Sequence, residues 1–171
     1  VELVAIEMSR LGIRPGDRVM IVCENSIAAI VLLYASSRLD AWAVIINARL
    51  SQHELDLIER DCRPRRVFYT HAISSDADAH ACRRDADIEP FTGIGEVKVG
   101  KLDADSVAER VHRDPSRQVA VVIYTTGTTG RPKGVMLSHR SLAFVACRGK
   151  RTDTIRSDDV SLCVMPISHS Y

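Results

Sequence analysis

Val119-Ala120-Val121-Val122-Ile123 followed by Tyr124-Thr125-Thr126-Gly127-Thr128-Thr129-Gly130-Arg131-Pro132-Lys133-Gly134-Val135 is the stretch on which the reading of this chain turns. The first five residues are apolar and mostly β-branched, the composition of a short strand covered on both faces. From Thr125 to Gly134 the chain then offers four hydroxyls, three glycines and one lysine. Glycine lets successive backbone N–H groups curl around an anion, threonine hydroxyls add donors or metal-facing oxygens, and Lys133 supplies a mobile cation for outer phosphates. The spacing predicts a phosphate loop hung from a buried strand.

A Walker loop is excluded. Its pattern needs a second glycine, then Lys and a hydroxyl residue opening into a helix. Here Pro132 stands where that glycine should be and Gly134 follows Lys133. The residues after the lysine, Gly134-Val135-Met136-Leu137, read as a second short strand, so the loop is predicted at the tip of a hairpin. A Thr/Gly-rich stretch on its own would be an ordinary polar turn.

The match through Tyr124, Pro132, Lys133, Gly134 and Val135 resembles the signature of the adenylate-forming superfamily, which includes acyl-CoA synthetases, aryl-CoA ligases, luciferases and the adenylation domains of peptide synthetases. Thr126 stands where that family more often has serine. The ending Pro166-Ile167-Ser168-His169-Ser170-Tyr171 is similar to a second signature of the acyl- and aryl-CoA ligases. Asn47-Ala48-Arg49-Leu50 with Glu54-Leu55 gives a weaker likeness, and the family's Lys-Ala-Gly-Ala is replaced by residues 38–43. Peptide-synthetase domains usually carry serine in place of Thr128 or Thr129 and an Asp-rich segment near His169, so the likeness favours the CoA ligases.

The resemblance implies an α/β fold, a mostly parallel sheet layered with helices, forming part of the large N-terminal domain of such an enzyme. On this reading residues 1–171 are a partial AMP-binding domain, truncated at both ends and without the C-terminal domain. The implied reaction joins a fatty or aryl acid to AMP from ATP and then passes the acyl group to coenzyme A, a step of fatty acid metabolism. Thr125, Thr126, Gly127, Thr128, Thr129 and Gly130 would hold the β- and γ-phosphates, Lys133 would balance their charge, and Thr125 would touch Mg²⁺. His169 would order the acid, Lys133 and His169 being the catalytic candidates, and Tyr171 would line the acyl pocket. The alternative is a catalytically incomplete nucleotide-binding fragment or a binding remnant without turnover.

Composition agrees with a globular domain rather than a nucleic-acid or membrane partner. The 171 residues carry 23 basic and 22 acidic side chains, and 46% of them are hydrophobic, so the anion site must be local. The longest apolar run, Ile27 to Ala35, is too short to span a bilayer, and a cytoplasmic enzyme is expected. Five cysteines without a CxxC pair predict reduced, buried thiols.

Working outward from the loop, the patterns predict helices over the first eleven residues, from Asn25 or Ser26 to about Leu39, from a Ser51–Glu54 capping box to about Asp61, over 72–84, and from Ser138 to about Arg148. Strands are expected at 18–23, 43–46, 65–69 and 161–165. Residues 85–118 are polar and weakly periodic, with a strand expected only at 96–99 and a short helix near 106–112. His53 reads as a solvated imidazole, and Arg63, Arg65 and Arg66 as a solvated rim.

Overall fold

The computed structural model describes residues 1–126, 132–152, 156, 158–160 and 162–169. Four strands form its centre: β1 (Arg18–Cys23), β2 (Trp42–Asn47), β3 (Arg66–Tyr69) and β6 (Val119–Thr126). They lie parallel in the order β3-β1-β2-β6. Each margin is antiparallel. A hairpin of β4 (Asp87–Phe91) and β5 (Gly95–Val99) adds to β3, and β7 (Pro132–Ser138) folds back along β6. The seven-stranded sheet is therefore mixed, with the expected parallel core.

Both faces of the sheet are covered, which is why its central strands read as unbroken apolar runs. Val19, Ile21 and Cys23 of β1 point to one side, where α1 (Glu2–Arg10) and α2 (Ile27–Arg38) contribute Val4, Met8 and Leu32. Met20 and Val22 point to the other, where α3 (Gln52–Cys62) and α4 (Ser75–Arg83) contribute Leu55, Ile58, Ala77 and Ala81. The fifth helix, α5 (His139–Thr152), follows β7.

Local signals set the helix starts. Ser26 Oγ accepts the N–H of Ala29, and Ser138 Oγ accepts that of Ser141. The capping box forms as predicted: Ser51 Oγ accepts the N–H of Glu54 at 3.3 Å, while Glu54 Oε2 accepts the N–H of Ser51 at 2.8 Å. His53 is exposed, as expected.

Five expectations are corrected. Residues 162–164 lie outside any strand, with Leu162 88% and Val164 71% exposed; an apolar run becomes a strand only where a neighbour offers an edge, and here the backbone is bonded by a side chain described below. β4 forms within the stretch that reads as polar and weakly periodic; it lies at the sheet edge, where polar residues and Pro90 are tolerated. The helix near 106–112 does not form. That segment is instead fastened to the amino ends of the strands: Ser106 Oγ donates to Arg63 O, the Glu109 N–H to Gly16 O, and the Arg18 guanidinium to Glu109 and Val107 O. Gly16 is obligatory there, having a φ of 83° and a carbonyl 2.0 Å from where a Cβ would fall.

Arg65 and Arg66 are not a solvated rim. Arg65 is buried, donating through Nη1 to Asp103 O at 2.6 Å, with its Nε 3.8 Å from the fully buried Asp17 carboxylate. Arg66 bonds the carbonyls of Leu11 and Gly100, each at 2.7 Å. Guanidinium groups withdrawn wholly or partly from water persist where several acceptors surround them, and these two hold the loops at the base of the sheet. Nor are all thiols buried, since Cys82, Cys147 and Cys163 are exposed.

Candidate active site

The parallel strands β1, β2 and β6 all deliver polar residues at their carboxyl ends, the edge of an α/β sheet where crevices form. β1 runs out into Glu24 and Asn25, β2 ends on Asn47, and β6 continues through Tyr124 to Thr125 and Thr126. Tyr124 turns toward α3, where its hydroxyl donates to Asp61. Burial, followed by that hydrogen bond, pushes the phenol well above its usual range. Opposite it in the ladder stands Gly134, whose missing Cβ would lie 3.1 Å from the tyrosine ring and 3.0 Å from Val122 Cγ1. The glycine after the lysine is thus a seat for the ring.

The next pair along the hairpin is Thr125 opposite Lys133, then Thr126 opposite Pro132. Directly paired residues of antiparallel strands present their side chains on one face, so the lysine leaves the hairpin on the same side as Thr125. Lys133 is exposed and Thr125 half-buried. Gly127, Thr128, Thr129 and Gly130 lie outside the described residues, as do the Thr126 side chain and Tyr171.

Thr125 and His169 meet in one cleft. It measures about 260 Å³ and is walled by Ile46, Asn47 and Leu50 beside β2, Tyr124 and Thr125 of β6, and Ser168 and His169 of the C-terminal motif. The His169 N–H donates to Pro166 O at 3.1 Å, closing a turn that buries Ser168 and leaves the imidazole side exposed. A second hollow of about 280 Å³ adjoins it, sharing Asn47 and lined by Glu24, Asn25, Arg49 and Pro166. Arg49 Nε lies 2.5 Å from Glu24 Oε1.

Sequence reasoning singled out Thr125 and His169 and missed the part of Asn25, which it considered only as a helix cap. The signal was there: polar residues just past the carboxyl end of an apolar parallel strand lie at the crevice. Among the described residues no group of three or more His, Cys, Asp or Glu side chains could hold a metal ion. No described helix is long and apolar enough to cross a membrane.

The family model for AMP-binding enzymes matches residues 1–171. The chain belongs to this family. It is 33% identical over 171 residues to the long-chain-fatty-acid–CoA ligase FadD13 of Mycobacterium tuberculosis, covering 95% of this chain and 32% of that protein. It is 31% identical over 166 residues to a 2-succinylbenzoate–CoA ligase of Bacillus cereus, with 95% and 31% covered. The inhibitor-bound N-terminal domain of FACL13 from Mycobacterium tuberculosis superposes with a TM-score of 0.72 at 30% identity, over 98% of this chain and 42% of that one. ATP-bound MatB from Rhodopseudomonas palustris does so with a TM-score of 0.70 at 27% identity, over 98% and 34%. This stretch of AMP-binding fold thus spans about a third of the length of the curated relatives it matches.

Proposed function

We propose that the protein containing these residues activates a carboxylic acid, fatty or aryl, through an acyl-adenylate and then forms its coenzyme A thioester. The observation that carries this reading is the shared cleft of Thr125 and His169, which joins the two motifs at the carboxyl ends of the parallel strands. The family match and the acid–CoA ligases among the relatives support it.

In the reaction a carboxylate oxygen attacks the α-phosphorus of ATP, the bond to the bridging oxygen breaks, and pyrophosphate leaves with the electron pair. Such chemistry is chiefly positioning and charge neutralisation. Lys133 balances the outer phosphates, residues 125–130 of the loop wrap them, and His169 orders the acid, with Tyr171 lining its pocket. A thiol of coenzyme A then displaces AMP from the acyl carbon.

Mg²⁺ fits the described donors in one way. With no group of three or more His, Cys, Asp or Glu side chains able to hold a metal among the described residues, the ion would be held chiefly by phosphate oxygens and water, which magnesium commonly retains, with the Thr125 hydroxyl as the protein's ligand. When bound it would neutralise charge developing on the phosphates. A cytoplasmic location and a place as a partial N-terminal domain go with this reading.

Pyrophosphate exchange in the intact protein tests it. Label from pyrophosphate should enter ATP only when a fatty or aryl acid is present, and Lys133→Ala should slow the exchange. Nucleotide binding without any acid-dependent exchange would favour the binding remnant instead.

A further inference from the structure

Asn25 follows β1 and immediately precedes the Ser26 cap of α2, so its backbone is fixed by two rigid elements. Its side chain reaches neither. The Nδ2 group donates to Met165 O at 2.8 Å and, at longer range, to Cys163 O at 3.5 Å, while Oδ1 accepts the N–H of Ile167 at 2.9 Å. One primary amide thereby offers a donor and an acceptor to alternate residues of the backbone, the service a neighbouring strand would perform. The orientation of the amide is determined, because the flipped group would set oxygen against the Met165 carbonyl and NH₂ against the Ile167 N–H.

Pro166 lies between the two bonded residues and has no N–H of its own, so the bonds to Met165 O and Ile167 N hold the turn on either side of a residue that cannot itself donate. Directly beyond Ile167 the chain turns, burying Ser168 and bringing His169 to the cleft wall.

We propose that Asn25 is a positioning residue of the candidate site: by clamping Met165 and Ile167 it sets where His169 stands relative to Thr125. The proposal rests on the reading of His169 as the group beside the acid. Residue type matters. Aspartate keeps the acceptor for Ile167 but faces two carbonyls with a negative charge, serine has one atom for two tasks, and glutamine carries the amide a methylene too far.

Amide hydrogen exchange and His169 ring resonances, followed by NMR in the 171-residue chain, test the clamp. Asn25→Ala should lower protection of the Ile167 N–H about tenfold, as for loss of a hydrogen bond of ordinary net strength, and shift the His169 resonances while β1 amides stay protected. Unchanged Ile167 exchange and His169 signals would overturn the proposal. If β1 is loosened as well, Asn25→Asp decides: lowered protection of Ile167 and shifted His169 resonances with β1 amides still protected support the clamp, and unchanged Ile167 and His169 signals overturn it. In the intact enzyme Asn25→Ala should raise the KM for the acid several-fold and leave that for ATP in place; an unmoved acid KM despite a released Ile167 would overturn the positioning role. Should His169→Ala leave acid selection untouched while Asn25→Ala still frees Ile167, the acid-site reading of His169 fails and the clamp stands.

Discussion

Thr125 and Lys133 face each other across the β6–β7 hairpin, in register and on one side of the sheet. The hydroxyl that lines the cleft and the cation of the same motif are therefore placed by backbone pairing rather than by their own contacts.

From this pairing follows an expected split in kinetics. Lys133→Ala in the intact protein should raise the KM for ATP at least about tenfold, the scale of one charge-assisted hydrogen bond of roughly 1.5–3 kcal/mol, and slow adenylation, with the acid's KM little changed. Steady-state measurements with each substrate varied in turn check it. An effect confined to the acid would remove Lys133 from the phosphates.

Arg65 should matter to stability. Asp17 is fully buried, bonded by the Arg14 N–H at 2.8 Å and approached by Arg65. Arg65→Ala leaves that carboxylate short of a cation and frees the carbonyl of Asp103, a loss expected to cost about 3 kcal/mol. Urea denaturation gives the value, and a cost below about 1 kcal/mol would show that water fills the guanidinium's place.

The capping box carries a pH dependence. Its hydrogen bonds from Ser51, side chain first, hold the Glu54 carboxyl below the usual glutamate range. A carboxyl that binds its proton less readily when folded stabilises fully above the unfolded value of about 4.3, and that contribution fades as pH falls through the folded value. Ser51→Ala should cost about 1 kcal/mol at neutral pH and flatten this acid limb. An identical acid limb in wild type and variant, compared by thermal melts between pH 3 and pH 7, would contradict it.

Thiol reactivity should divide the cysteines into two classes. Burial, with Glu24 adding to it, pushes the Cys23 thiol up to about 12, and burial does the same for Cys62. Cys82, Cys147 and Cys163 are exposed. A disulfide reagent at pH 8 should modify these three in the native protein and reach Cys23 and Cys62 only on unfolding. Rapid native modification of Cys23 would mean that the cover of β1 opens readily.

How much of this was legible in the sequence depended on whether a residue's role was local. The Ser51–Glu54 cap, the strand at 18–23 and the hairpin around Lys133 could be read because each is decided by residues a few positions apart. Arg65 could not, since what distinguishes it from a surface arginine is Asp17 and Asp103, brought to it by the fold. The run 161–165 misled for the converse reason: propensity suggested a strand, and among its described residues, 162–165, pairing, which propensity does not contain, was missing. In the cleft, Thr125 and His169 were found through motif likeness, whereas Asn25 belongs to a relationship between distant segments.

That relationship also orders events in time. β1, α2, β2, α3 and β3 are consecutive in the chain and build the centre of the sheet from near neighbours, while Asn25 joins Ile167 across 142 positions. Contacts so far apart close slowly, because the intervening chain must first give up its freedom. In refolding, amides of β1 and β2 should gain protection ahead of Ile167, and under mild denaturant Ile167 should lose it first. The wall of the cleft that carries His169 is then expected to close after the central strands that form its other wall and to open before them.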